Sequence, residues 1–88
     1  LLGIDGAEFA STRPVEVDDT FVGDGYGIPT DASHEAVRLL ARSEAIFLDH
    51  TYTAKAVAGL LSYVRRRVFS ANQTVLFWHT GGQVGLFV

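Results

Sequence analysis

The stretch Ala45 to Gly82 constrains the fold more than any other part of this 88-residue chain. It holds two short apolar runs, Ala45-Ile46-Phe47-Leu48 and Thr74-Val75-Leu76-Phe77-Trp78, separated by a helical segment. Runs of this kind joined by a helix predict a strand-helix-strand unit with parallel strands buried on both faces. The crossover is expected to be right-handed. Each run is followed by a polar cluster, Asp49-His50-Thr51-Tyr52-Thr53 in one case and His79-Thr80-Gly81-Gly82 in the other. Open parallel sheets bind ligands beyond the carboxyl ends of their strands, so both clusters are expected at one crevice.

Eighty-eight residues are few for an α/β domain, yet 48% of them are hydrophobic. A chain this short hides only part of such a complement. With no Met and with the apolar stretch Val84 to Val88, the chain reads as a piece of a longer protein. Its apolar edge is expected to make the isolated piece prone to association. Net charge is -3 and the pI about 5.4, which argues against nucleic acid or an anionic membrane as partner. There is no Cys, hence neither a disulfide nor a thiolate metal site. No apolar run approaches the roughly 18 residues that span a bilayer. A cytoplasmic location is the expectation.

Leu1 to Ala10 suggests no role. Pro14 to Val17 begins an extended segment, and the alternation of Val15 and Val17 with Glu16 and Asp18 predicts a half-exposed strand or edge. Gly23-Asp24-Gly25-Tyr26-Gly27-Ile28-Pro29 is a glycine loop with one bulky residue, Tyr26, at its centre. It fits neither the dinucleotide spacing nor a P-loop, and reads as a tight turn before a helix. Thr30 or Asp31 is expected to cap that helix, with Glu35 in its first turn. Ala36, Val37, Leu40 and Ala41 form its apolar stripe, while His34, Arg38 and Arg42 lie on a solvated face. A second helix is predicted from Thr53 to Phe69, with Val57, Leu60, Leu61, Val64 and Val68 inward. Gly59 in its interior costs roughly 1 kcal/mol relative to Ala, which points to close packing there. Arg65-Arg66-Arg67 falls in its last turns, where cations complement the helix dipole. Ser70 to Thr74 is the loop to the last apolar run.

Lys55 is the only lysine. A lone lysine near a crevice suits a Schiff-base nucleophile, but its place in a helix's first turn favours an exposed or ion-paired side chain. Asp24, Asp49, His50 and His79 match no metal-ligand spacing, so no metal site is expected. Tyr52 and Thr53 stand at a helix N-terminus with free amides nearby. Thr80-Gly81-Gly82 offers a hydroxyl and room for a flat ligand.

Four blocks in order, Gly25 to Pro29, Glu35 to Arg42, Leu48 to Ala56 and His79 to Gly82, together resemble the D-cysteine desulfhydrase and 1-aminocyclopropane-1-carboxylate deaminase family. The resemblance runs from about Val15 to Phe87 and is to the family's C-terminal part. These are fold-type II pyridoxal-phosphate enzymes, similar to the tryptophan synthase β subunit. The resemblance implies a three-layer αβα architecture with a parallel sheet, a pyridoxal 5'-phosphate cofactor, a small amino-acid substrate and a homodimer. It places Tyr26 and Tyr52 as the catalytic tyrosines, and Thr80, Thr53 and Gly81 at the cofactor, with the Thr80 hydroxyl at the pyridine nitrogen. It also places the Schiff-base lysine and the phosphate loop upstream of residues 1–88, which agrees with a structural Lys55. One departure is His50-Thr51, where the family usually has Pro-Val.

A carboxylate beside the pyridine nitrogen keeps it protonated and the ring a strong electron sink, whereas a threonine hydroxyl cannot hold that charge. The weaker sink suits β-elimination from a D-amino acid such as D-cysteine better than opening of a cyclopropane ring. The alternatives are a deaminase of the 1-aminocyclopropane-1-carboxylate type, a non-catalytic relative of the same fold, and a Rossmann-type enzyme. The last lacks any dinucleotide glycine fingerprint here.

Overall fold

The computed structural model describes residues 15–87. Leu1 to Ala10 and Pro14 lie outside the described residues. Among the described residues, two α-helices, α1 (Asp31–Glu44) and α2 (Thr53–Arg65), pack on one another, and a single 3-10 turn (Gln83–Phe87) follows.

Thr30 caps α1. Its hydroxyl accepts from the Ser33 amide at 3.0 Å, and the Ser33 hydroxyl accepts from the Thr30 amide at 2.8 Å, a reciprocal box that satisfies two free donors. The acid in the first turn is Asp31, not Glu35. Glu35 instead pairs with Arg65 and ties the end of α2 to α1, an exposed ion pair that solvent screens and that adds little to stability. Ala36 is fully buried, Val37 and Leu40 pack against the core, and His34, Arg38 and Arg42 are exposed.

The core is small and made largely of small side chains. Ala36, Leu48, Ala54, Val57 and Ala58 are its buried members, with Phe21, Val37, Leu40, Leu61 and Phe77 packed around them. Small residues on the facing sides of α1 and α2 let the helices approach closely. Leu48 is completely buried, which contributes about 2 kcal/mol by transfer from water. Gly59 faces Phe21 directly: a Cβ there would lie 3.2 Å from its ring. The close packing predicted from an interior glycine is therefore against this ring.

Helix α2 ends four residues earlier than the apolar pattern predicts. Arg67 adopts the left-handed region at φ +58. The Arg67 amide then donates to the Val64 carbonyl at 3.0 Å and the Val68 amide to the Tyr63 carbonyl at 3.0 Å. These bonds close the helix in a Schellman arrangement. Val64 and Val68 consequently sit at its exposed end, each 54% exposed, and do not continue the buried stripe.

The helix of the expected strand-helix-strand unit is present, and among the described residues no strand flanks it. A strand is defined by its backbone ladder, and neither apolar run has one. A contact between their ends is made by His79, just after the second run, whose Nε2 lies 2.9 Å from the Phe47 carbonyl in the first. Phe47, Leu76 and Trp78 project into solvent. Val15 and Val17 likewise form no edge strand. They are 83% and 90% exposed. The apolar pattern is thus present without the partner strands that would convert it into a sheet.

Candidate functional site

The site is organised around Asp49, which is 4% exposed. Helix N-termini leave amides without partners, and here Asp49 satisfies three. Its carboxylate accepts from the Tyr52 amide at 2.7 Å and the Thr53 amide at 3.0 Å, and its carbonyl accepts from the Ala54 amide at 2.9 Å. The Thr53 hydroxyl donates to the carboxylate at 2.6 Å and accepts from the Asp49 amide at 2.8 Å. Burial works to raise the Asp49 pKa, but the bonds from the Thr53 hydroxyl and the Tyr52, Thr53 and Thr51 amides outweigh it and hold the carboxyl below its ordinary value.

This cap fixes Tyr52 at the start of α2. The Tyr52 hydroxyl lies 2.6 Å from that of Tyr26, and the rings meet edge to face at 5.7 Å. The bond to Tyr26, followed by desolvation and the charge of Asp49, raises the Tyr52 phenol above its ordinary value. Both tyrosines are largely exposed.

Lys55 is neither exposed nor ion-paired as the sequence suggested. It is 8% exposed, and its Nζ donates to the Val22 carbonyl at 2.6 Å and the Gly25 carbonyl at 2.9 Å. Those bonds occupy the amine inside the chain, in accord with a structural residue.

The two polar clusters do meet. A cavity of about 450 Å³ is lined by Gly27 and Pro29 of the glycine loop, Asp49, His50 and Tyr52, and Gly82. Gly82 touches Asp49 so closely that a Cβ would lie 2.7 Å from its Oδ1. A larger cavity of about 650 Å³ is lined by Tyr26, Lys55, Phe21 and Tyr63 but by none of residues 79–82. Tyr52 lines both.

The residues expected at the cofactor separate into two kinds. Thr80 is exposed, and Gly81 follows at φ +97, where a Cβ would find nothing nearer than 3.9 Å. This segment is held by His79, whose Nδ1 accepts from the Gly81 amide at 3.0 Å. With Nδ1 accepting, the ring hydrogen belongs on Nε2, facing the Phe47 carbonyl. Thr53 faces inward at 2% exposure, its hydroxyl engaged with Asp49. The sequence reading missed Asp49 as the organiser of the site. Its position four residues before a threonine at a helix start was the available signal. His50 stacks edge to face on His34 with ring centres 5.0 Å apart, and its Nδ1 is buried without a partner.

The helix cap thus presents paired phenols, and Gly82 of the second cluster seats against its Asp49 beside a cavity that can take a small polar ligand. Residues 2–81 match the family model described as pyridoxal-phosphate dependent enzyme, and the chain belongs to that family. The family's cofactor is pyridoxal 5'-phosphate. Among its relatives, the chain is 43% identical over 77 residues to the D-cysteine desulfhydrase of Salmonella typhi. It is equally similar, at 43%, to those of Salmonella newport (strain SL254) and Salmonella agona (strain SL483). Each alignment covers 88% of this chain and 24% of the relative. The chain therefore spans about a quarter of the length of the curated relatives it matches. Among the described residues, no helix is long and apolar enough to cross a membrane.

Proposed function

We propose that this chain is the C-terminal portion of a pyridoxal-phosphate-dependent lyase that acts on a small D-amino acid. With D-cysteine and water, the products are an α-keto acid, ammonia and sulfide. The observation that carries this reading is the Tyr26–Tyr52 hydroxyl pair at 2.6 Å, in a chain 43% identical to D-cysteine desulfhydrases.

The cofactor supplies an electron sink that lets a proton leave the α-carbon. Thr80 and Gly81 are the residues that would hold it in this chain. The exposed Thr80 would offer its hydroxyl to the pyridine nitrogen, and the open backbone at Gly81 would admit a flat ring. Thr53 acts through Asp49, by fixing the start of α2. The tyrosine pair holds a proton at the Tyr52 hydroxyl and delivers it to the departing sulfur. Like any phenol, Tyr52 carries its proton at neutral pH, and the 2.6 Å bond to Tyr26 holds its hydroxyl in place to donate it. Lys55, with its amine bound to two carbonyls, takes no part in the chemistry, and the cofactor-bearing lysine and phosphate loop belong to the rest of the protein.

In the whole protein the architecture is a three-layer αβα arrangement with a parallel sheet. The exposed Phe47, Leu76 and Trp78 become buried there, once their apolar runs pair as strands. The protein is a cytoplasmic homodimer that binds neither nucleic acid nor membrane, and residues 1–88 alone are inactive.

The test is to give the cofactor-loaded parent protein D-cysteine and, separately, 1-aminocyclopropane-1-carboxylate. Sulfide, ammonia and α-keto acid released in equal amounts from D-cysteine is the expected result. Ring opening of the cyclopropane without any sulfide release overturns it.

A further inference from the structure

Lys55 is the one buried ionisable side chain in the described chain that the proposed chemistry leaves idle. It lies in the first turn of α2, three residues after Tyr52, and its Nζ reaches across to the Val22 and Gly25 carbonyls at 2.6 and 2.9 Å. Gly25 immediately precedes Tyr26. The intervening turn has little stiffness of its own, because Gly23, Gly25 and Gly27 all sit at positive φ. Its backbone bonds are few and long, Val22 amide to Asp19 carbonyl at 3.3 Å and Ile28 amide to Gly25 carbonyl at 3.2 Å. Packing does not hold Tyr26 either, since it is 78% exposed. A charged donor buried against two carbonyls is a stronger tether than any of these.

We infer that Lys55 is a positioning residue: by pinning the Val22–Gly25 turn to α2, it holds the Tyr26 hydroxyl against that of Tyr52. Tyr52 and Lys55 belong to one rigid helix start, so the tether fixes the distance between the phenols. This rests on the reading of the tyrosine pair as the proton donor. It adds the residue that assembles the pair, and it explains why the chain's single lysine is buried beside the site without being its nucleophile.

The experiment compares Lys55→Met and Tyr26→Phe, singly and together, in the cofactor-loaded parent protein. Lys55→Met is expected to lower kcat for sulfide release by about tenfold or more, with KM changed far less. In the Tyr26→Phe background the same substitution should add no more than about twofold, because the group it positions is gone. Equal losses in the two backgrounds overturn the inference. Full activity in Tyr26→Phe would instead overturn the reading of the pair. A second readout then still decides the Lys55 question. The Tyr52 phenol, followed by NMR of ring-labelled tyrosine and assigned with Tyr52→Phe, should titrate lower in Lys55→Met, as in Tyr26→Phe. An unchanged Tyr52 titration in Lys55→Met overturns the inference without reference to activity. Lys55→Gln, which keeps an amide donor, should show an intermediate shift, and it replaces the apolar variant if that one does not fold.

Discussion

The Thr53 hydroxyl donates to the Asp49 carboxylate at 2.6 Å while accepting from the Asp49 amide at 2.8 Å. The two side chains therefore close a ring that supplies the cap of α2 and orients Tyr52. Asp49→Ala leaves the amides of Tyr52 and Thr53 and the Thr53 hydroxyl without their acceptor. Its expected cost is about 2 kcal/mol in urea unfolding of the parent protein, and Asp49→Asn should cost about half of that.

The same carboxylate gives a pH dependence of defined sign. Its folded-state pKa is held below the ordinary value by hydrogen bonds that outweigh burial. A group depressed on folding stabilises above its unfolded pKa, about 3.9 for Asp, and loses that contribution as pH falls through the folded value. Stability should therefore fall on the acid side of about pH 4, and Asp49→Asn should flatten that fall. Unfolding midpoints measured across this range check it. A slope unchanged by the substitution would assign the acid sensitivity to other groups.

Gly82 is required by contact as well as by conformation. Its φ is +91, and a Cβ would come 2.7 Å from Asp49 Oδ1 and 2.9 Å from Cγ. Gly82→Ala should displace the Asp49 side chain, costing about 2 kcal/mol or more and lowering activity together with stability. Gly81→Ala meets only Gln83 Oε1 at 3.9 Å, so its cost should be confined to the left-handed backbone, about 1 kcal/mol. Thermal unfolding of the two variants side by side separates contact from conformation.

Both helices end on residues that carry a conformational cost. Ala45 at φ 54 and Arg67 at φ 58 sit in the left-handed region that glycine occupies freely. Ala45→Gly and Arg67→Gly should each raise stability by up to about 1 kcal/mol. Denaturant midpoints that fall in both variants would contradict this.

Much of this organisation is legible in local sequence, where the physics is local. Thr30 caps α1, Gly59 marks the close approach of Phe21, and the helices begin where side-chain oxygens meet free amides. The ends of elements were harder to read. The apolar spacing ran on through Val64 and Val68, while the left-handed turn at Arg67 had already closed the helix. The apolar runs signal strands, but a strand exists only through a partner, and none is present among the described residues. The roles of Lys55 and Asp49 depend on what folds against them, 33 residues before in one case and four after in the other. Residue type alone left Lys55 between nucleophile and surface charge, and the structure buries it with its amine bonded to two carbonyls.

Under the proposed function, Tyr26 and Tyr52 work as one proton-donating unit in D-cysteine desulfhydration. The most direct test is the kcat for sulfide release by the parent protein carrying Tyr26→Phe, Tyr52→Phe, or both. Each single change should lower kcat by roughly 10²-fold or more, as loss of a positioned acid does, and the double variant should be no slower than the worse single one. Losses that multiply in the double variant, or a single variant with undiminished kcat, would contradict the claim.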